Sequence, residues 1–298
     1  MSERTTITTE KNASLWKLRA YIELLKVRLS FLVSFSSGFG YILAVQGRID
    51  WVVLTMLMLG GFLVSGGAVT INQILEKNAD QLMNRTRNRP IPTGRITERE
   101  AWIYSVIVTM VGAIILWLVS NPQTVLLSVL SMLIYSFVYT PLKKVGPIAV
   151  FVGAIPGAFP PLIGWVAATG EFGLAPGILF GIQFLWQFPH FWAIAWVSDE
   201  DYKRAGFKLL PGNGKTDFRS AVQIMTYTLF LLPVGLLPAK IGLTGMNSAI
   251  IATICGVLFL AQTFNLMIKR DRSAALKIMF GSFLYLPIVQ ISFILDIL

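Results

Sequence analysis

Asn72, Glu76 and Asp80 stand four residues apart at the end of an apolar segment, and Arg85-Thr86-Arg87-Asn88-Arg89 follows at once. Four-residue spacing puts the three oxygen-bearing side chains on one face of a helix. Carboxylates next to hydrocarbon are costly unless something compensates them. A hard divalent cation is the obvious partner, because Mg²⁺ takes oxygen ligands and usually keeps phosphate oxygens among them. Arginines beside it match phosphate in shape and charge. The pattern predicts a metal–diphosphate site at a membrane face. A solvated helix end, with the acids paired to Lys77 and the arginines, is the plainer alternative. The position of Asn72, one turn deeper in the apolar run, argues against it.

A second polar cluster closes a later apolar segment: Trp186-Gln187-Phe188-Pro189-His190-Phe191-Trp192, then Asp199-Glu200-Asp201-Tyr202-Lys203. Pro189 removes a backbone donor and should kink its helix. His190 is the only histidine, so it is a candidate proton acceptor or polar substrate contact, against the simpler role of a hydrogen-bonded helix residue. One histidine cannot hold a permanent bis-histidine haem within a single chain. On a helix the acidic triplet diverges, so at most two of its members face one site; Asp201 is favoured and Asp199 is second. A second acidic group is what a two-metal diphosphate site would need. Tyr139, Lys143 and Lys144 form a third polar spot, with either lysine able to reach a diphosphate or to act only as a topology signal.

These residues must be positioned by membrane helices. Of 298 residues 55% are hydrophobic and only 13% charged, against about 25% charged in a soluble domain. Nine apolar stretches are long enough to span hydrocarbon, near 24–45, 52–76, 101–120, 123–140, 146–168, 174–197, 219–239, 246–268 and 275–296. The expected fold is all-α and polytopic, one membrane-embedded domain over 1–298 with 1–22 as an N-terminal tail, its nine helices surrounding a cavity that faces the cytoplasm. Of the 25 basic residues, 23 fall in the N-terminal tail and alternate gaps; only Arg48 and Lys240 do not. The positive-inside rule then puts the N-terminus in the cytoplasm and the C-terminus outside. The same distribution accounts for the net charge of +10 without nucleic acid. Cys255 is the single cysteine and makes no intramolecular disulfide. Gly60-Gly61 and Ser65-Gly66-Gly67-Ala68 let helices approach closely, or open room for a bulky apolar substrate.

The string Asn72-x3-Glu76-x3-Asp80-x2-Met83-x-Arg85-Thr86-x2-Arg89-Pro90 resembles the UbiA superfamily of intramembrane prenyltransferases, with Glu76 where that family's Asn-x3-Asp-x3-Asp motif has its middle aspartate. Together with the Trp186–Trp192 segment and Asp201-Tyr202-x2-Ala205-Gly206, it is most similar to the branch that farnesylates protohaem IX. The likeness extends over all nine spans. It implies transfer of the farnesyl group of farnesyl diphosphate to a vinyl group of haem B, with addition of water. It implies Mg²⁺ on Asn72, Glu76 and Asp80, with Asp199 or Asp201 for a second ion, and haem as substrate, not as fixed cofactor. Arg85, Arg89, Lys143 and Lys203 would bind diphosphate; Tyr139, Trp186, Gln187 and Tyr202 would border the prenyl chain or porphyrin. His190 or a carboxylate would take the proton of the captured water. The setting would be a bacterial plasma membrane, with a haem A synthase or terminal oxidase assembly proteins as neighbours. A prenyltransferase with an aromatic acceptor, a transporter and a non-catalytic haem-binding assembly factor remain as rivals.

Overall fold

The computed structural model describes residues 16–212 and 214–297; most of the predicted tail, 1–15 of 1–22, lies outside them. Among the described residues nine helices are long and apolar enough to cross a membrane. They are α1 (Val27–Val45), α2 (Trp51–Leu75), α4 (Glu98–Val119), α5 (Pro122–Leu142), α6 (Ile148–Thr169), α7 (Leu174–Val197), α9 (Phe218–Lys240), α10 (Met246–Lys269) and α11 (Arg272–Leu295). Two short helices lie in the polar gaps, α3 (Lys77–Leu82) and α8 (Asp199–Arg204). Apolar length alone predicted the spans closely. Differences reach three residues, at the starts of α1, α4 and α11; at α1, where the predicted span begins at 24, residues 16–24 form a separate helix, and the chain turns at Lys26, whose φ is 44°.

That turn is built by the first polar gap. Ala20 and Leu24 pack on Ile74, Ile91, Ile96 and Ala101, while Arg95 holds Glu23 through two hydrogen bonds of 3.0 and 2.7 Å. Gln73 Nε2 donates to the Leu24 carbonyl at 2.8 Å. A lysine in the left-handed region costs roughly 1–2 kcal/mol, so the contacts on both sides must impose it.

In lipid there is no hydrophobic drive between helices, and close approach of small residues replaces it. α1 crosses α6 where a Cβ on Gly40 would overlap the Pro161 carbonyl and one on Gly164 the Ser37 carbonyl. α2 meets α4 at Gly60, Gly67 and Gly112. The two roles considered for the small residues of α2 are thus divided: Gly60 and Gly67 pack, whereas Gly61, Ser65 and Ala68 border a cavity. Gly164→Ala is expected to lower the melting temperature in detergent, in line with an overpacking cost of about 1–3 kcal/mol, while Gly177→Ala, with open space around it, leaves it unchanged.

Prolines inside the helices free carbonyls, and each free carbonyl in a membrane needs a donor. Pro160 releases the Pro156 carbonyl, which Ser131 Oγ takes at 3.1 Å; Pro161 releases that of Gly157, which Gln183 Nε2 takes at 2.8 Å. α7 runs on through Pro189 to Val197, so the proline removes a hydrogen bond without ending the helix.

Candidate active site

The Asn72–Glu76–Asp80 stripe survives a break in its helix. α2 stops at Leu75 and Glu76 leaves helical geometry, yet the Glu76 N–H still donates to the Asn72 carbonyl at 3.0 Å and the Asp80 N–H to that of Glu76 at 2.7 Å. All three residues are buried, Asp80 completely. The stripe therefore faces the bundle interior and not lipid. Asp80 accepts from Arg89 Nη1 on both oxygens, at 2.8 and 2.7 Å. Glu76 Oε1 lies 2.9 Å from Lys143 Nζ but makes no hydrogen bond. Asn72 Nδ2 donates to Thr140 Oγ1 at 3.0 Å, which leaves its Oδ1 uncommitted.

Thr140 is brought there by a π-helical turn over Ile134–Tyr139 in α5. The wider turn is a common way to re-aim side chains at functional sites. It also places the Tyr139 ring 4.6 Å beneath the Lys143 ammonium, inside the range for a cation–π contact. Burial alone would lower the Lys143 pKa; the Glu76 carboxylate, and after it the neighbouring tyrosines, outweigh it, and the net direction is upward.

Lys26 was missed as a site residue because it reads as one more charge of the tail. The left-handed turn carries it to the same mouth, where burial first and then Arg89 and Lys143 push its ammonium down to about 7, with Glu76 and Asp80 opposing. Three basic side chains thus crowd two carboxylates. An excess of positive charge in a buried place is what an anionic ligand relieves.

Behind this mouth lies a cavity of about 340 Å³ bounded by α1, α2, α5, α6, α7 and α11. Tyr139 joins the two, since it lines the cavity and lies under Lys143. Trp186, Gln187 and His190 also line it. Gln187 Nε2 donates to the Ala154 carbonyl at 3.0 Å. At the inner wall Gln290 bridges Ser36 Oγ and Gln183 Oε1, each at 3.1 Å. Leu29 and Leu32 of α1 and Phe283 of α11 border the cavity while being 43%, 54% and 45% exposed, so its side wall opens toward lipid.

The second acidic cluster is arranged differently from the expectation. Asp199 pairs with Lys203 at 2.6 Å, and the Lys203 side chain is 62% exposed, outside the diphosphate mouth. Asp201 accepts from Arg204 at 2.7 Å and from the backbone N–H groups of Asn84 and Arg85 at 3.1 and 3.3 Å. Tyr202 receives a hydrogen bond from Arg85 Nη2 at 3.3 Å and is not among the residues that line the cavity. Among the described residues no three His, Cys, Asp or Glu side chains converge on one point. Lys203, expected at the diphosphate, thus stands paired with Asp199 at the surface, and Tyr202, expected at the prenyl chain or porphyrin, stands against Arg85 outside the cavity lining. As placed, Asp199 and Asp201 do not join Glu76 and Asp80. The physical reason is register: on α8 each aspartate has a cation three or four residues on. Asp201 fastens the two polar gaps together. Asp201→Ala is expected to speed tryptic cleavage at Arg85 and Arg87, because a hydrogen bond to a charged group is worth about 1.5–3 kcal/mol and the half-buried Asp201 makes two to this backbone.

The uncommitted oxygens of Asn72 and Glu76 beside Asp80 are the hard donors that a magnesium ion takes, and the basic groups around them suit its diphosphate. An apolar cavity ending in such a mouth suits an amphiphile with an anionic head. Residues 32–286 match the UbiA prenyltransferase family, and the chain belongs to that family of membrane enzymes. It is 56% identical to the protoheme IX farnesyltransferase of Cytophaga hutchinsonii, over 94% of this chain and 98% of that one, and 43% identical to that of Christiangramia forsetii, over 97% of each. In fold it is similar to a digeranylgeranylglyceryl phosphate synthase structure (TM-score 0.78, 23% identity, 94% of this chain and 98% of that chain). It is also similar to a UbiA homologue from Archaeoglobus fulgidus bound to GPP and Mg²⁺ (TM-score 0.61, 17% identity, 92% and 99%).

Proposed function

We propose that the protein is a haem O-forming prenyltransferase, which transfers the farnesyl group of farnesyl diphosphate to a vinyl group of haem B and adds water across it, releasing diphosphate. The observation that carries this is the adjacency, across Tyr139, of an apolar cavity and a buried cluster of oxygen donors and cations. The near-full-length similarity to the relatives above supports the choice of acceptor.

Asn72, Glu76 and Asp80 would hold Mg²⁺, which supplies positive charge against the leaving diphosphate. Arg89, Lys143 and Lys26 contribute charge at the same mouth, fixed in place before the C–O bond breaks, and preorganised charge of this kind stabilises the developing anion. Arg85, exposed and laid over Tyr202, reaches the diphosphate from the loop side. A second ion at Asp199 or Asp201 would have to displace Lys203 or Arg204. The cavity excludes water from the allylic chain along its apolar wall, while Gln183, Gln187 and Gln290 offer the few polar contacts that orient an acceptor. His190 places the chain's single imidazole on the cavity wall, where the porphyrin would lie.

The charge distribution supports a cytoplasmic N-terminus and an outer C-terminus in a bacterial plasma membrane. Haem O made there would serve a haem A synthase or an assembling terminal oxidase. The test is to give the purified enzyme farnesyl diphosphate, haem B and Mg²⁺, with 4-hydroxybenzoate offered in parallel, and to identify products by mass. A hydroxyethylfarnesyl porphyrin is expected. A prenylated benzoate and unchanged haem would overturn the proposal.

A further inference from the structure

His190 Nδ1 lies 2.8 Å from Ser282 Oγ. The Ser282 hydroxyl has one hydrogen, and it is already donated to the Met279 carbonyl at 2.6 Å. Ser282 Oγ can then only accept from the imidazole. This fixes the proton of His190 on Nδ1 and leaves Nε2 bare, the reverse of the tautomer that a free histidine side chain favours. The ring is held from its other sides as well. Trp186 stacks on it at 4.4 Å between centroids and is itself fixed by donating Nε1–H to the Ser282 carbonyl at 3.0 Å. Phe191 and Phe283 present edges at 5.3 and 5.2 Å. Ser282 is fully buried, and Nε2 makes no hydrogen bond to any described residue while His190 borders the cavity.

An imidazole that donates Nδ1–H to a buried oxygen and offers a bare Nε2 has the arrangement of a metal-ligating histidine with its orienting partner. Among the described residues no carboxylate or ammonium hydrogen bonds to the ring, and its one side-chain partner, Ser282, has its own proton on a carbonyl. We infer that Ser282 is a positioning residue that presents His190 Nε2 as an axial ligand to the iron of bound haem B, and so orients the porphyrin for attack at one vinyl group. Ligation is reversible, as a substrate requires. This inference rests on haem B being the acceptor.

The experiment is a titration of ferric haem B into the purified full-length enzyme, followed by absorption and electron paramagnetic resonance spectra. The wild type is expected to show a histidine-ligated iron. His190→Gly should lose that spectrum and recover it with added imidazole. Ser282→Ala should weaken ligation about tenfold, equivalent to about 1.4 kcal/mol, and Ser282→Thr, which keeps the hydroxyl, should restore it. A packing role for Ser282 would change melting temperature without moving the ligand field. A wild-type spectrum in Ser282→Ala would overturn the positioning role. Retention of the wild-type ligand field in a His190 variant that makes an unhydrated product would assign His190 to water activation and overturn the ligand role. If the wild type takes up no haem and prenylates another acceptor, the functional proposal fails with it; if haem O forms without a histidine-ligated spectrum, only this inference fails.

Discussion

Asp80→Ala is expected to abolish haem O formation while the chain still inserts in the membrane. The carboxylate is completely buried, both its oxygens are engaged by Arg89, and it continues the stripe that begins at Asn72. Removing it takes away a proposed metal donor and releases the arginine from its fixed position. Loss of one preorganised charge-stabilising group typically costs about 10²–10³ in turnover, and two are disturbed here. The variant also leaves a largely buried guanidinium unpaired, which costs about 3–5 kcal/mol. Asp80→Ala/Arg89→Ala should therefore regain stability but not activity, measured as melting temperature and as haem O by mass. Normal turnover by purified Asp80→Ala would remove the stripe from the mechanism.

Lys143→Met should have the second largest effect, at least about 10²-fold on turnover by the same electrostatic argument. Among the described residues Lys143 alone is within ion-pair distance of Glu76, and its ring contact with Tyr139 ties the mouth to the cavity. If its job is the diphosphate, the variant needs more farnesyl diphosphate for half-maximal rate, but no more magnesium, because Glu76 is then freed for the ion. Lys143→Arg should recover only part of the rate, since a guanidinium is wider than the ammonium it replaces. A raised magnesium requirement with an unchanged diphosphate requirement would contradict this division of roles. The raised pKa of Lys143 adds a sign: the ammonium stays charged below its folded-state value, so its contribution is present throughout neutral pH and is lost only on strong alkalinisation. The rate of the wild type should therefore not fall through loss of this charge between about pH 6 and 9.

How much of this was legible in the chain varies with the kind of signal. Apolar length marks a membrane helix almost by itself, so all nine spans came out within about three residues at each end. The oxygen stripe was also legible, because the four-residue period survives where the helix breaks. Three features were not. Nothing in the local sequence marks the left-handed turn at Lys26, which is imposed by Gln73 and Ile91 from elsewhere in the chain. The π-helical turn before Thr140 has no compositional signature. Ser282 is one serine in an apolar helix, and only its approach to His190, 92 positions away, gives it meaning. The acidic triplet errs the other way. Asp199 with Lys203 and Asp201 with Arg204 already stand at helical ion-pair spacing, and that nearer explanation prevails in the structure.

The opening between Leu29, Leu32 and Phe283 implies something about kinetics. A farnesyl chain that slides in sideways never leaves its solvent, so the quantity the enzyme senses is the mole fraction of substrate per lipid molecule, not its molarity in the tube. Adding empty vesicles fused to the same bilayer, at constant total substrate, should slow turnover by surface dilution even though nothing in the aqueous phase has changed.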